Sequence, residues 1–125
     1  MLETAEACAA FYIEKTPADG VPPWDYDAPA DKQTLRDTSA AAIAASGLLQ
    51  LAHLASDRIK GRHFDAVARR ILNSLCRSYL AEGDHQWEGI LKGGVYHIHK
   101  NLGVNESVMW GEYFFLEALD TALAD

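Results

Sequence analysis

The side chains best suited to chemistry are aromatic and imidazole groups after a pair of glycines, and single polar residues ahead of two apolar runs. Gly93-Gly94 leads into Val95-Tyr96-His97-Ile98-His99. A phenol or imidazole there can donate to a ligand's carboxylate or hydroxyl, and an ordinary exposed ribbon accounts for them equally well. Arg36 stands just before the apolar run that starts at Ala40. Its planar fork suits a bidentate grip on a carboxylate, or a pairing with Asp27 or Asp37 that pins the loop. Ser39 and Ser107 fall in the first turns of two expected helices, where a hydroxyl and open backbone N–H groups face an anion or simply satisfy the helix end. Trp24, in a loop, offers a flat stacking face, whereas Trp110 with Tyr113, Phe114 and Leu116 reads as core. Asp25 and Asp27 flank Tyr26 in the same loop and read as turn-forming carboxylates, and Asp37 as a helix cap.

Other site chemistries find little support. The five histidines at 53, 63, 85, 97 and 99 form no recognisable ligand set. His97-x-His99 would place two rings on one side of a strand, which metal sites use, yet no third ligand is in view. No phosphate-cradling loop or nucleophile elbow is present. Cys8 and Cys76 have no CxxC or Cys/His neighbourhood and read as small buried side chains.

The elements that must position these residues are helices. Leu2, Ala5, Ala9, Tyr12 and Ile13 recur at helical spacing up to about Lys15 or Thr16, and Pro17 stops the run. The stretch from Pro17 to Arg36 holds all 4 prolines and is expected to be a long ordered loop. Asp37 and Thr38 offer a cap for a second helix, apolar on most sides through Ala40, Ala41, Ile43, Ala44, Leu48 and Leu51. A connection from about Ala55 to Arg62 leads to a third, amphipathic helix with Phe64, Val67, Ala68, Ile71, Leu72, Leu75 and Tyr79 on one stripe. From Glu82 to Val104 a second long loop contains the strand-like Val95 to His99. Asn105 is then expected to cap a fourth helix, from Ser107 to about Leu123. Both long connections run from a peripheral helix to a buried one, so both should lie on one face together with the N-termini of the buried helices. That pattern fits an α/α toroid with loops around a pocket, and an up-and-down four-helix bundle fits the composition as well.

With 125 residues, 49% of them apolar, the chain has room for one core and not for two. Its net charge of −7, with scattered Lys and Arg, argues against a nucleic-acid surface. Apolar stretches are too short to span a bilayer. The first residues, Met-Leu-Glu-Thr-Ala-Glu-Ala, lack the basic start and apolar core of a secretory signal, so the expected location is cytoplasmic.

Two blocks carry a family resemblance. Gly20-Val21-Pro22-Pro23-Trp24-Asp25-Tyr26-Asp27-Ala28-Pro29, followed by the stretch from Arg36 through Asp37, Thr38 and Ser39 to Leu49, is one. Gly94-Val95-Tyr96-His97, followed by the stretch from Asn105 through Ser107, Val108, Met109 and Trp110 to Leu119, is the other. Both resemble the C-terminal signature of the unsaturated glucuronyl hydrolases, family 88 of the glycoside hydrolases; unsaturated rhamnogalacturonyl hydrolases are the neighbouring family. The resemblance implies an all-α fold, here a partial (α/α)6 toroid of about four helices in two hairpins with long pocket-side loops, with residues 1–125 forming one C-terminal segment of it. It implies an enzyme that removes unsaturated uronic acid from lyase-cut oligosaccharides by protonating and hydrating a vinyl ether, with an aspartate pair as acid and base and no metal or organic cofactor. In the family those aspartates lie upstream and have no counterpart in this chain, so no catalytic residue is assigned. The residues expected to touch the sugar are Tyr96, His97, Arg36, Ser39, Ser107 and Trp24. Three readings follow: an enzyme segment inactive alone, one half of a split enzyme, and a non-catalytic helical module that binds sugar or associates with itself through exposed flanks of its inner helices.

Overall fold

The computed structural model describes residues 1–32 and 35–124. They form four α-helices and one antiparallel ribbon: α1 (Leu2–Lys15), α2 (Thr38–Leu54), α3 (Arg58–Ser78), β1 (Gly94–His97), β2 (Leu102–Glu106) and α4 (Met109–Ala124), with 3-10 turns at Ala30–Lys32 and Ile98–Lys100. The all-α expectation therefore holds, with a two-stranded ribbon added.

The helix α2 is the hub. Its N-cap is Asp37, whose carboxylate accepts the Ser39 N–H and so satisfies one open donor of the first turn. Ala41, Ala42, Ala45, Leu48 and Leu49 are buried along it and meet Ile71, Leu72 and Leu75 of α3 and Phe115 and Ala118 of α4. The small alanines let the neighbouring helices approach closely, and the Leu, Ile and Phe side chains fill the space between. Buried Ser46 donates to the Glu117 carboxylate, a further tie between α2 and α4.

The turn into α3 is tighter than the sequence reading had it. Only Ala55, Ser56 and Asp57 separate the helices, because Asp57 is itself an N-cap and accepts from the Ile59 and Lys60 N–H groups at 2.8 Å. The α3 stripe is as expected: Phe64, Val67, Ala68, Ile71, Leu72 and Leu75 are buried and the arginines face outward. Helix α1 is attached differently. The Glu6 carboxylate accepts from the Ser56 N–H (2.7 Å), the Ser56 hydroxyl (3.1 Å) and Lys60 Nζ (2.7 Å), which fastens α1 to the turn between α2 and α3.

The fourth helix starts later than expected. Asn105 lies in β2 at φ +56°, not at a helix cap, because the backbone of residues 102–106 is used in the ribbon ladder. The register pairs Val95 with Val104 and His97 with Leu102. Within α4 the packed residues are Gly111, Phe115 and Ala118. Tyr113 and Leu116, expected in the core, are exposed, and Trp110 and Phe114 are half-buried. Cys8 is likewise exposed and not buried, and burial pushes the half-buried Cys76 thiol up from its ordinary value.

Both long connections do meet at one end. The Thr38 N–H donates to the Gly93 carbonyl at 3.1 Å and the Asp37 N–H to the Pro22 carbonyl at 3.0 Å, which brings both loops to the N-terminus of α2. A Cβ on Gly111 would sit 3.0 Å from Ser39 Cβ, so the glycine is what lets α4 begin against the same point.

Candidate functional site

Where the loops, the ribbon and the first turns of α2 and α4 meet, five rings run in an unbroken series. Trp24 stands edge-on to His99 with centroids 5.6 Å apart, His99 to His97 at 6.1 Å, His97 to Tyr96 at 6.3 Å, and Tyr96 to Trp110 at 5.5 Å. Tyr96 is 59% exposed, and Trp24, His97 and Trp110 are half-buried. Such a wall presents aromatic faces and edges with polar tips, a surface suited to the apolar face and hydroxyls of a sugar ring.

Asp37 sets this wall in place. Its Oδ1 accepts from Ser39 N (3.0 Å), Ser39 Oγ (2.7 Å) and Val95 N (3.1 Å), which joins the cap of α2 to the strand that carries Tyr96 and His97. Ser39 Oγ in turn accepts from the Trp110 indole N–H at 3.1 Å. The chain Val95, Asp37, Ser39, Trp110 thus fixes the ring against which Tyr96 rests. Such coupled bonds hold geometry better than isolated ones. His97 Nδ1 is closed off from solvent and has no hydrogen-bond partner among the described residues, an uncommon state for a buried nitrogen.

The other expected sugar contacts are placed elsewhere or committed to protein partners. Arg36 forms its fork with Asp19, at 2.8 Å from Nη2 and 3.3 Å from Nη1, and also donates to the Val21 carbonyl. It pins the loop, through Asp19 and not through Asp27 or Asp37. Ser39 is 2% exposed and its hydroxyl is spent between Asp37 and Trp110, so it orients the wall from behind. Ser107 precedes α4 by two residues, outside its first turn; it donates to the Leu91 carbonyl at 2.7 Å and accepts the Trp87 indole N–H at 2.8 Å. Asp25 accepts the Asp27 N–H at 2.9 Å, the turn role expected of it. His99 lies in the 3-10 turn after β1, so it does not share a strand face with His97, and no group of three or more His, Cys, Asp or Glu able to hold a metal occurs among the described residues. The sequence reading missed Asp37 as an organiser and Trp110 as a member of the wall. The short spacing from Asp37 to Ser39 and the strand-like run from Val95 were visible, but the bond between Asp37 and Val95, 58 positions apart, was not.

The comparisons are consistent with this architecture. No family model matches the chain. A curated unsaturated glucuronyl hydrolase from Bacillus sp. (strain GL1) is 36% identical over 121 residues, which is 95% of this chain and 32% of that protein. A crystal structure of an unsaturated glucuronyl hydrolase specific for heparin superposes with a TM-score of 0.89 at 34% identity, over 98% of this chain and 33% of that one. A mutant of the Streptococcus agalactiae unsaturated glucuronyl hydrolase, solved in complex with dGlcA-GalNAc6S, gives a TM-score of 0.79 at 30% identity over 90% of this chain and 30% of that one. The chain therefore spans about a third of the length of the relatives it matches. In sequence and in fold it is related, over almost all of its own length, to one third of an unsaturated glucuronyl hydrolase of glycoside hydrolase family 88.

Proposed function

We propose that this chain is the pocket-wall portion of an enzyme that releases unsaturated uronic acid from lyase-generated oligosaccharides, and that it binds such a sugar without turning it over alone. The observation that carries the reading is the aromatic series from Trp24 to Trp110. It lies at the loop-bearing end of a fold shared with hydrolases of this activity, one of them complexed with dGlcA-GalNAc6S. Tyr96, His97 and Trp24 are the contacts: the ring of Trp24 and the phenol of Tyr96 stack against and donate to the pyranose, and the imidazole of His97 donates to the uronate. Arg36, Ser39 and Ser107 act one step back, by holding the loop, the wall and the approach to α4.

Hydration of the vinyl ether needs a carboxyl group that can protonate the double bond at the pocket. Asp37, which sets the wall in place, is occupied by three donors, Asp19 by Arg36, and Glu112 by the N–H groups of Ile90 and Leu91. In keeping with the family resemblance, the acid and base are assigned to the part of the enzyme that this chain does not span. Unsaturated chondroitin and heparin disaccharides added to the purified chain should keep their ultraviolet absorbance while binding to it. Tyr96→Ala and His97→Ala should each weaken binding by roughly tenfold, the loss of one good contact. Decay of the absorbance, or no binding by the folded chain, would contradict the proposal.

A further inference from the structure

Charge is distributed unevenly over the elements. Helix α3 carries Arg58, Lys60, Arg62, Arg69, Arg70 and Arg77, more than half of the chain's 11 Lys and Arg, against the single acid Asp65. The rest of the chain holds all the other Asp and Glu, so a molecule of net charge −7 has one strongly positive element. Such an element attracts anions locally whatever the global charge.

Two of these cations are committed to the fold. Lys60 pairs with Glu6 at 2.7 Å and Arg69 with Asp65 at 3.0 Å. Arg58, Arg62, Arg70 and Arg77 are exposed, and their guanidinium groups make no ion pair or hydrogen bond among the described residues. Arg62, Arg70 and Arg77 follow one another at helical spacing on the side of α3 that faces away from its buried stripe of Phe64, Val67, Ile71 and Leu75. Between them stand Ala66 and Asn73, both exposed. The result is a ridge of roughly 22 Å with unpaired guanidinium groups at intervals of about 12 Å and 10 Å.

We propose that this ridge is a docking surface for a polyanionic glycan, a chain bearing sulfates and uronates, outside the aromatic wall. Charge complementarity is the first ground: anionic groups recur along such a chain, and a guanidinium fork takes a sulfate or carboxylate bidentately. The second ground is the polar character of the ridge. Phe64 is buried and Ile59 is the one large apolar side chain exposed on α3. The ridge therefore has no stacking platform for nucleic-acid bases, no apolar centre for a protein partner and no apolar face for a membrane surface. A sulfated glycan needs none of these. The glycan comes from the proposed function, on which this inference rests: the wall takes the cut end, and the ridge retains the longer anionic chain.

The test is calorimetric titration of the purified chain with a heparin dodecasaccharide whose ends are saturated, so that it offers the wall no unsaturated uronate. Binding is expected at low salt, weakening as added salt screens the exposed charges. Arg62→Gln, Arg70→Gln and Arg77→Gln should each weaken it by about twofold, and together by roughly tenfold. The helical spectrum should not change, because glutamine is about as good a helix former as arginine. Lys15→Gln, on α1, should leave binding as it was. No binding, equal binding by the triple variant, an equal loss with Lys15→Gln, or tighter binding of a DNA duplex or of phosphatidylserine vesicles would overturn the proposal. The wall is read separately: a dodecasaccharide that binds through the arginines, beside an unsaturated disaccharide that does not bind, upholds the ridge and counts against the proposed function.

Discussion

Three donors converge on one oxygen of Asp37, and the consequences of removing it are specific. Asp37→Ala strips the cap from α2 and leaves the Val95 N–H and the Ser39 hydroxyl without their acceptor. Losing a cap costs about 1 kcal/mol and an unsatisfied donor adds about as much, so denaturant unfolding should show a loss of about 2 kcal/mol. Because Ser39 holds the Trp110 indole, the near-ultraviolet circular dichroism of that ring should change as well. Asp37→Asn, which keeps an acceptor oxygen, should retain most of both signals. At this scale the sequence showed which residue types were available and not which were already engaged. Tyr96, His97 and Trp24 could be picked out because they follow turn-forming residues on a loop side. The pairing of Arg36 with Asp19, 17 positions away, depends on how the proline-rich loop folds back, which no local spacing encodes.

Helix α1 illustrates the energetics of whole elements. Hydrogen bonds and charge from Lys60, with further bonds from Ser56, hold the Glu6 carboxyl at about 2, below its ordinary 4.5. A carboxyl whose folded value is depressed stabilises the fold fully above its unfolded value, and that contribution drains away as pH falls from about 4.5 toward 2. Glu6→Gln should therefore flatten this acid limb of the stability curve, measured by thermal melts across that range. An unchanged limb would mean that Glu6 does not fasten α1. The α2 helix yields a prediction of opposite sign: Gly47→Ala, with open space at its Cβ, should stabilise the isolated chain by about 0.5–1 kcal/mol in the same melts. Helices α1, α2 and α3 were legible from their apolar periodicity, to which the Asp37 cap added for α2, while the Asp57 cap of α3 was missed. The start of α4 was not, since Asn105 is a good cap by type while its backbone is already in the ribbon; strand pairing is a non-local choice and overrode the local signal. The burial pattern of α4 was misread for a related reason. Its aromatic residues were assigned to a core, yet within this chain only Phe115 among them is fully enclosed.

For the molecule as a whole, apolar surface is distributed as in part of a larger fold. Met109, Tyr113, Leu116 and Leu123 on α4, and Ile43 and Leu54 on α2, lie open, while the centre between α2, α3 and α4 is tightly filled. Phe115→Ala, at the heart of that filled centre, should cost about 3–5 kcal/mol and unfold a chain of this size in mild denaturant. The expectation of helices in pairs with loops at one end was readable from the alternation of peripheral and buried helices. Which flanks remain uncovered was not, because a helix apolar on all sides does not say which neighbours belong to its own chain. The chain's three tryptophans report directly on the central claim that its loop-bearing end is a sugar wall. Trp24 and Trp110 belong to the wall, whereas Trp87 is tied to Ser107 outside it. Titration of the labelled chain with an unsaturated chondroitin disaccharide, followed by the indole N–H resonances, should move Trp24 and Trp110 and leave Trp87 in place. Movement of Trp87 alone, or of none of the three at saturating sugar, would contradict the account.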